Sequence, residues 1–139
     1  MIRPARPADE TRLRAIQSAA LDEPWQDLLA VAIKGAPVLL VRDPGAGPVA
    51  YALLVTDHPT AYLAELAVAP PAQRQGHGTA LLTAVLDRVR AAGFAELRLT
   101  ARADDERARS FYDDFDFTVA DRLPDHFDHG DGVLLVRSL

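Results

Sequence analysis

Gln73-Arg74-Gln75-Gly76-His77-Gly78-Thr79 is the most informative stretch of this 139-residue chain. It follows an apolar run, Thr60 to Val68, that reads as a β-strand. It then opens a helix at about Gly78, in which Leu81, Leu82, Val85, Leu86 and Val89 share one face and Gly93 is the stop. Two glycines at a strand-to-helix junction let backbone amides approach a ligand without Cβ obstruction, and the first helical turn presents unpaired N–H groups with a partial positive charge. The stretch therefore reads as a phosphate cradle. It is not a Walker loop, because G-x-x-x-x-G-K-[ST] is missing, and not a dinucleotide fingerprint, because Leu81 stands where the third glycine belongs. A tight strand-to-helix turn is the bland alternative for the same glycines.

Toward the N-terminus, Val38 to Arg42 and Val49 to Thr56 read as strands of a hairpin around the turn-rich Asp43-Pro44-Gly45-Ala46-Gly47-Pro48. Ile2 to Arg6 fits a short edge strand, with Pro4 tolerated at a sheet margin. Asp9 reads as the N-cap of a helix carrying Leu13, Ile16, Ala20 and Leu21, and a second helix covers Trp25 to Lys34, stopped by Gly35 and Pro37. Toward the C-terminus, Phe94 to Ala101 is a strand and Asp105 to Phe115 a helix with Ala108, Phe111, Tyr112 and Phe115 inward. Phe117 to Asp121 and Val133 to Arg137 are strands, and the polar Leu123 to Gly132 between them reads as a mobile loop. The order predicts a mixed α/β sheet in a single domain, residues 1–139.

Composition narrows the function. Hydrophobic residues make up 49% and charged residues 25%, as in a soluble globular protein. Fifteen Lys and Arg against 20 Asp and Glu give a net charge of −5, which argues against nucleic-acid binding through a basic face. With no cysteine there is no disulfide, thiolate nucleophile or Cys-based zinc site. None of Ser18, Ser110 and Ser138 lies in G-x-S-x-G, so serine and cysteine acyl-enzyme chemistry is disfavoured. His126, Asp128 and His129 read as a solvated or substrate-facing segment rather than a metal site. No apolar run reaches the length of a membrane span and the first residues lack a signal-peptide pattern, so the expectation is a cytoplasmic protein without a membrane partner.

Glu65 stands out because it interrupts the apolar Ala61 to Ala69. A carboxylate there is costly unless it is paired or useful. It is therefore either a candidate base or a structural residue, paired with an arginine such as Arg98 or facing solvent.

Gln73-x-x-Gly76-x-Gly78 after an apolar strand resembles the acyl-CoA-binding motif of the GCN5-related N-acetyltransferase (GNAT) superfamily. Ala108-Arg109-Ser110-Phe111-Tyr112-Asp113-Asp114-Phe115-Asp116-Phe117 is similar to the A-x-x-[FL]-Y-x-x-x-G-F of that family's late helix, and the resemblance spans residues 50–119. It implies a mixed, mostly antiparallel central sheet of about six to seven strands flanked by about four helices. Acetyl-CoA would be the acyl donor. Its pantetheine would run along Leu66, Ala67 and Val68, its pyrophosphate would sit on the amides of Arg74, Gln75, Gly76, His77, Gly78 and Thr79, and Gln73 would be a further cofactor-binding residue of the motif.

The resemblance also implies direct attack by a primary amine in a ternary complex. The Val68 N–H would polarise the thioester carbonyl and Tyr112 would supply the proton for the thiolate, with Glu65 as candidate base. The acceptor is a small-molecule amine or a peptide N-terminus, and a homodimer is left open. Leu97 to Asp105 is similar to the ribosomal-protein alanine N-acetyltransferase branch, although Thr100 stands where that branch has a glutamate. In related N-terminal peptide acetyltransferases the segment around His126-Phe127 borders the acceptor site.

Two residues depart from the family pattern. Asp116 replaces the glycine of G-F, which suits a residue type that visits left-handed backbone. Asp105 stands where many members place a cofactor-binding Asn, and an ionised carboxylate accepts hydrogen bonds but cannot donate them. A non-catalytic acyl-CoA-binding or sensing module is the alternative from another functional class.

Overall fold

A computed structural model describes residues 1–35, 38–128 and 130–139. In chain order the elements are β1 (Ile2–Pro4), α1 (Glu10–Ala20), α2 (Gln26–Ile33), β2 (Val38–Arg42), β3 (Ala50–Asp57), β4 (Thr60–Val68) and α3 (His77–Ala91). They continue with β5 (Glu96–Arg102), α4 (Glu106–Asp113), β6 (Thr118–Phe127) and β7 (Gly130–Ser138), and 3-10 turns lie at Pro7–Asp9 and Pro70–Ala72. The seven strands form one sheet in the order β1-β2-β3-β4-β5-β7-β6. Every neighbouring pair is antiparallel except β4 with β5, where α3 supplies the crossover that parallel pairing demands.

Each face of the sheet buries its own core. The apolar stripe of α3 packs with Leu40, Leu54, Leu63, Leu97 and Leu135 on one side, joined by Phe111, Tyr112 and Phe115 from α4 and the turn after it. On the other side, Leu13 and Ile16 of α1 and Leu29 and Ile33 of α2 meet Leu39, Tyr51 and Leu53. This two-faced burial makes β2, β3 and β4 nearly continuous hydrophobic runs.

One extra residue in β4 decides which way its second half faces. Leu54 pairs with Leu63 but Leu53 pairs with Glu65, so Ala64 is unmatched, a β-bulge. Regular alternation would have placed Glu65 with Ala61 and Leu63 against α3. The bulge turns Glu65 and Ala67 toward α1 and α2, while Leu66 and Val68 pack on the α3 side.

Several expectations need correction. Leu123 to Gly132 is not a loop: β6 runs on to Phe127 and β7 begins at Gly130, with Leu123 opposite Gly132 and Phe127 opposite Gly130. Nearly every residue of β6 is exposed, so this edge strand lacks the apolar alternation by which strands are recognised. Asp9 stands at the N-cap position of α1 as expected, but its side chain makes no capping hydrogen bond to that helix. It lies in the 3-10 turn and accepts hydrogen bonds from both terminal nitrogens of Arg3 and from the Arg6 N–H. The helix expected over Asp105 to Phe115 is limited to Glu106–Asp113, and Asp116 takes the left-handed conformation (φ 65°) expected of it. Pro37 and His129 lie outside the described residues.

Candidate active site

β4 and β5 pair only at Thr60, Ala61 and Tyr62 with Glu96, Leu97 and Arg98. Beyond this point the strands part, next to the Ala64 bulge, which bends and twists the strand that carries it. The parting creates a cleft of about 340 Å³ beside α3 and α4. Leu66, Ala67 and Val68 form its strand wall, Gln73, Arg74, Gly76, His77, Gly78 and Thr79 its loop end, and Asp105 and Tyr112 its α4 wall. The expected cofactor residues thus converge, with one exception: the Gln75 side chain turns back to the Pro71 carbonyl at 3.3 Å.

The loop end owes its shape to local sequence. Pro70 and Pro71 begin the short 3-10 turn, the Gln73 amide donates to the Val68 carbonyl at 3.0 Å, and Arg74 adopts positive φ (63°). Gly76 caps α3 at φ 87°, a conformation that an L side chain resists. The first intrahelical hydrogen bond runs from the Ala80 N–H to the Gly76 carbonyl, so the amides of His77, Gly78 and Thr79 precede the helix's own ladder. They face a part of the chain with no acidic residue from Gln73 to Thr79. This end suits an anion.

Tyr112 stands at the other end, wedged edge-on between Phe111 and Phe117 at centroid distances of 5.1 and 5.6 Å. Burial, and secondarily the Asp105 carboxylate, pushes its phenol above the ordinary tyrosine value, so it stays protonated and able to donate. The Asp105 side chain is itself occupied as the N-cap of α4, accepting from the Ala108 N–H at 3.0 Å.

A second cavity of about 220 Å³ adjoins the cleft and shares Ala20, Leu66, Asp105, Ala108 and Tyr112 with it. Glu65 lines this second cavity and not the first. It is 7% exposed, and its oxygens accept from the Tyr51 hydroxyl (2.8 Å), the Trp25 N–H (2.7 Å) and the Gln17 amide (3.0 and 3.3 Å). Burial, and then the Glu65 charge, raises the Tyr51 phenol far above its ordinary value, so it remains the donor of this pair. Arg98 is not the partner. It pairs with Glu96 at 2.6 Å.

A third cavity of about 510 Å³ continues outward past Trp25, Tyr62, Thr100 and His126, and the Tyr62 and Thr100 hydroxyls hydrogen-bond there at 2.8 Å. Sequence reasoning does not assign Tyr62, Gln17 or Tyr51 to the site. The bulge that turns Glu65 toward Gln17 and Tyr51 leaves no mark in the local pattern, whereas Tyr62 is visible as a polar-tipped residue in an apolar strand. Among the described residues no group of His, Asp and Glu is placed to hold a metal ion, and no helix is long and apolar enough to cross a membrane.

The cleft thus combines a loop of free first-turn amides with the partly buried Tyr112 phenol. Residues 8–117 match the acetyltransferase (GNAT) family, and the chain belongs to that family of enzymes. The [ribosomal protein bS18]-alanine N-acetyltransferase of Haemophilus ducreyi is 30% identical over 125 residues, 89% of this chain and 86% of its own. Among solved structures, the ribosomal-protein-S18-alanine N-acetyltransferase of Escherichia coli superposes with a TM-score of 0.89 at 24% identity, covering 99% of this chain and 92% of that one. A GNAT family acetyltransferase from Elizabethkingia anophelis with acetyl-CoA bound gives 0.84 at 19% identity, covering 100% and 97%.

Proposed function

We propose that this protein transfers the acetyl group of acetyl-CoA to a primary amine, either a peptide N-terminus or a small-molecule amine, by direct attack within a ternary complex. The single observation that carries the reading is the continuity of the Tyr112-bearing cleft with the Glu65-bearing cavity: one space suits the donor, the next an acceptor, and Tyr112 borders both. The amides of His77, Gly78 and Thr79 would hold the pyrophosphate. The edge of β4 from Leu66 to Val68 would lie along the pantetheine arm, with the Val68 N–H as donor to the thioester carbonyl.

In this reading the neutral amine nitrogen forms a bond to the acetyl carbon and the carbon–sulfur bond breaks. The Tyr112 hydroxyl gives its proton to the departing sulfur, the new amide nitrogen loses one to water, and the Tyr112 phenolate takes a proton back from solvent to close the cycle. Glu65 as direct base would have to release a donor, since four hydrogen bonds occupy its oxygens. Their number favours a positioning role, in which Glu65 ties α1, the start of α2 and β3 around the cavity and leaves its charge there to attract a cationic amine. A cytoplasmic location and a single domain over residues 1–139 belong to the same proposal, supported by the likeness to an enzyme that modifies a ribosomal protein.

Titration calorimetry with acetyl-CoA, followed by free-thiol release across a panel of peptides and small amines, tests the reading. Binding with amine-dependent thiol release is the expected result. Binding without release would leave the non-catalytic module, and no binding at millimolar ligand would remove both.

A further inference from the structure

We propose that Arg102 is a positioning residue for the acceptor: with Glu23 and Phe127 it forms a strap over the acceptor space that admits slender primary amines and excludes bulky ones. The inference rests on the transferase reading above. Arg102 ends β5, where its Nη2 donates to Glu23 Oε2 at 2.7 Å and its Nε lies 3.8 Å from the Asp22 carboxylate. Its guanidinium carbon stands 4.7 Å from the centre of the Phe127 ring, within range of a cation–π attraction. The Asp128 N–H donates to Glu23 Oε1 at 3.3 Å, so the α1–α2 link and the β6–β7 hairpin are joined through one carboxylate. Glu23 and Arg102 side chains are 30% and 22% exposed, which makes the pair stronger than a fully solvated one.

The position of the strap gives it a consequence. Glu23 and Phe127 line both the cavity that reaches Tyr112 and the outer one that opens past Trp25 and His126, with Ala64, Glu65 and Thr100 as shared floor. Gly132 lets the hairpin lie this low, because a Cβ there would stand 3.2 Å from both His126 Cβ and Thr100 Cγ2. An amine moving inward passes beneath the strap. Asp22, Glu23, Asp104 and Asp128 surround Arg102 and draw a cation toward the mouth. By holding Glu23 and Phe127 together, Arg102 keeps the roof low over the entering amine, which favours an extended, narrow chain such as a peptide N-terminus beginning with a small residue.

Arg102→Met keeps a stem of similar apolar character beside Phe127 and removes the guanidinium. The expected result is a KM for a small-residue peptide N-terminus raised about tenfold, with kcat and the KM for acetyl-CoA within about twofold. The preference for that peptide over a bulky amine should fall by a similar factor. About 0.5 M salt screens the acidic mouth in both proteins but weakens the Arg102–Glu23 pair only in the unmodified one, so it should raise the KM of the unmodified protein by the larger factor and narrow the gap between the two. Reversing the pair, Arg102→Glu with Glu23→Arg, should recover part of the loss, which a merely structural defect would not allow.

A readout independent of turnover is hydrogen exchange by mass spectrometry. Segments 21–28 and 120–131 should exchange about fivefold faster in Arg102→Met while α3 stays protected. Unchanged exchange in those segments, or loss of kcat with an unchanged acceptor KM, overturns the strap. If the unmodified protein acetylates no amine, the transferase reading falls, and the exchange data still decide whether the strap exists. Should Arg102→Met fail to fold, Glu23→Gln carries the same kinetic and exchange expectations.

Discussion

The cleft that carries the cradle and the Glu65-lined cavity beside it share Tyr112 but are built from different materials. The cradle is mostly backbone, the first-turn amides of α3 shaped by Gly76 and by the turn from Pro70. The Glu65-lined cavity is made of groups that meet across long stretches of chain: Gln17 and Trp25 reach Glu65 over 48 and 40 residues, and Arg102 reaches Glu23 over 79. Backbone recognition tolerates changes of side chain that keep the conformation. A side-chain network changes with every substitution, so in this protein the cradle is the half that tolerates substitution and the Glu65-lined cavity the half that substitution reshapes.

Tyr112→Phe tests the point where the halves meet and should have the largest effect. Turnover should fall by about 10²–10⁴-fold while calorimetry finds the acetyl-CoA affinity nearly unchanged. Equal turnover would remove the phenol from the reaction. Glu65→Ala probes the side-chain half. It strands the buried Tyr51 hydroxyl and Gln17 amide together with the Trp25 N–H, and should cost about 3 kcal/mol in denaturant unfolding. A much smaller loss would mean that these donors find water, and the network would not be what holds α1 and α2 in place.

Gly76→Val probes the backbone half. A β-branched residue at φ 87° costs about 1–2 kcal/mol and twists the first-turn amides, so acetyl-CoA affinity should drop about tenfold with acceptor selectivity intact. A shift in selectivity would show that the halves are coupled. The smallest effect concerns pH. The Tyr112 phenol is raised above its ordinary value of about 10, so its proton remains and a Tyr112-dependent rate should hold through pH 9 without an alkaline decline. Asp105→Asn keeps a capping side chain but removes one of the two causes of the rise, and should move the alkaline limb of the profile downward.

The same contrast explains what can be read from the sequence. The cradle lies in seven consecutive residues, and the aromatic spacing of α4 spans ten more, so local chemistry and periodicity reveal both. The sheet and its four helices are visible for the same reason, since apolar periodicity is a local signal. Glu65 is conspicuous as a carboxylate in an apolar strand, yet its partners are hidden because the Ala64 bulge turns it away from the face that alternation would assign. The β6–β7 hairpin escapes notice because an exposed edge strand with Pro124, and with aspartate or histidine at 121, 125, 126 and 128 around it, looks like a turn. The strap is beyond reach, since nothing local links Glu23 to Arg102.

The unmatched Ala64 separates the durability of this protein from its usefulness. Without that residue, ordinary alternation would still send Glu65 and Ala67 to one side and Leu66 and Val68 to the other, so both cores would keep their occupants. The bend would go, however, and β4 and β5 would be free to zip together beyond Tyr62 and Arg98. A chain shortened by this single codon is thus expected to fold and to have nowhere to put a ligand.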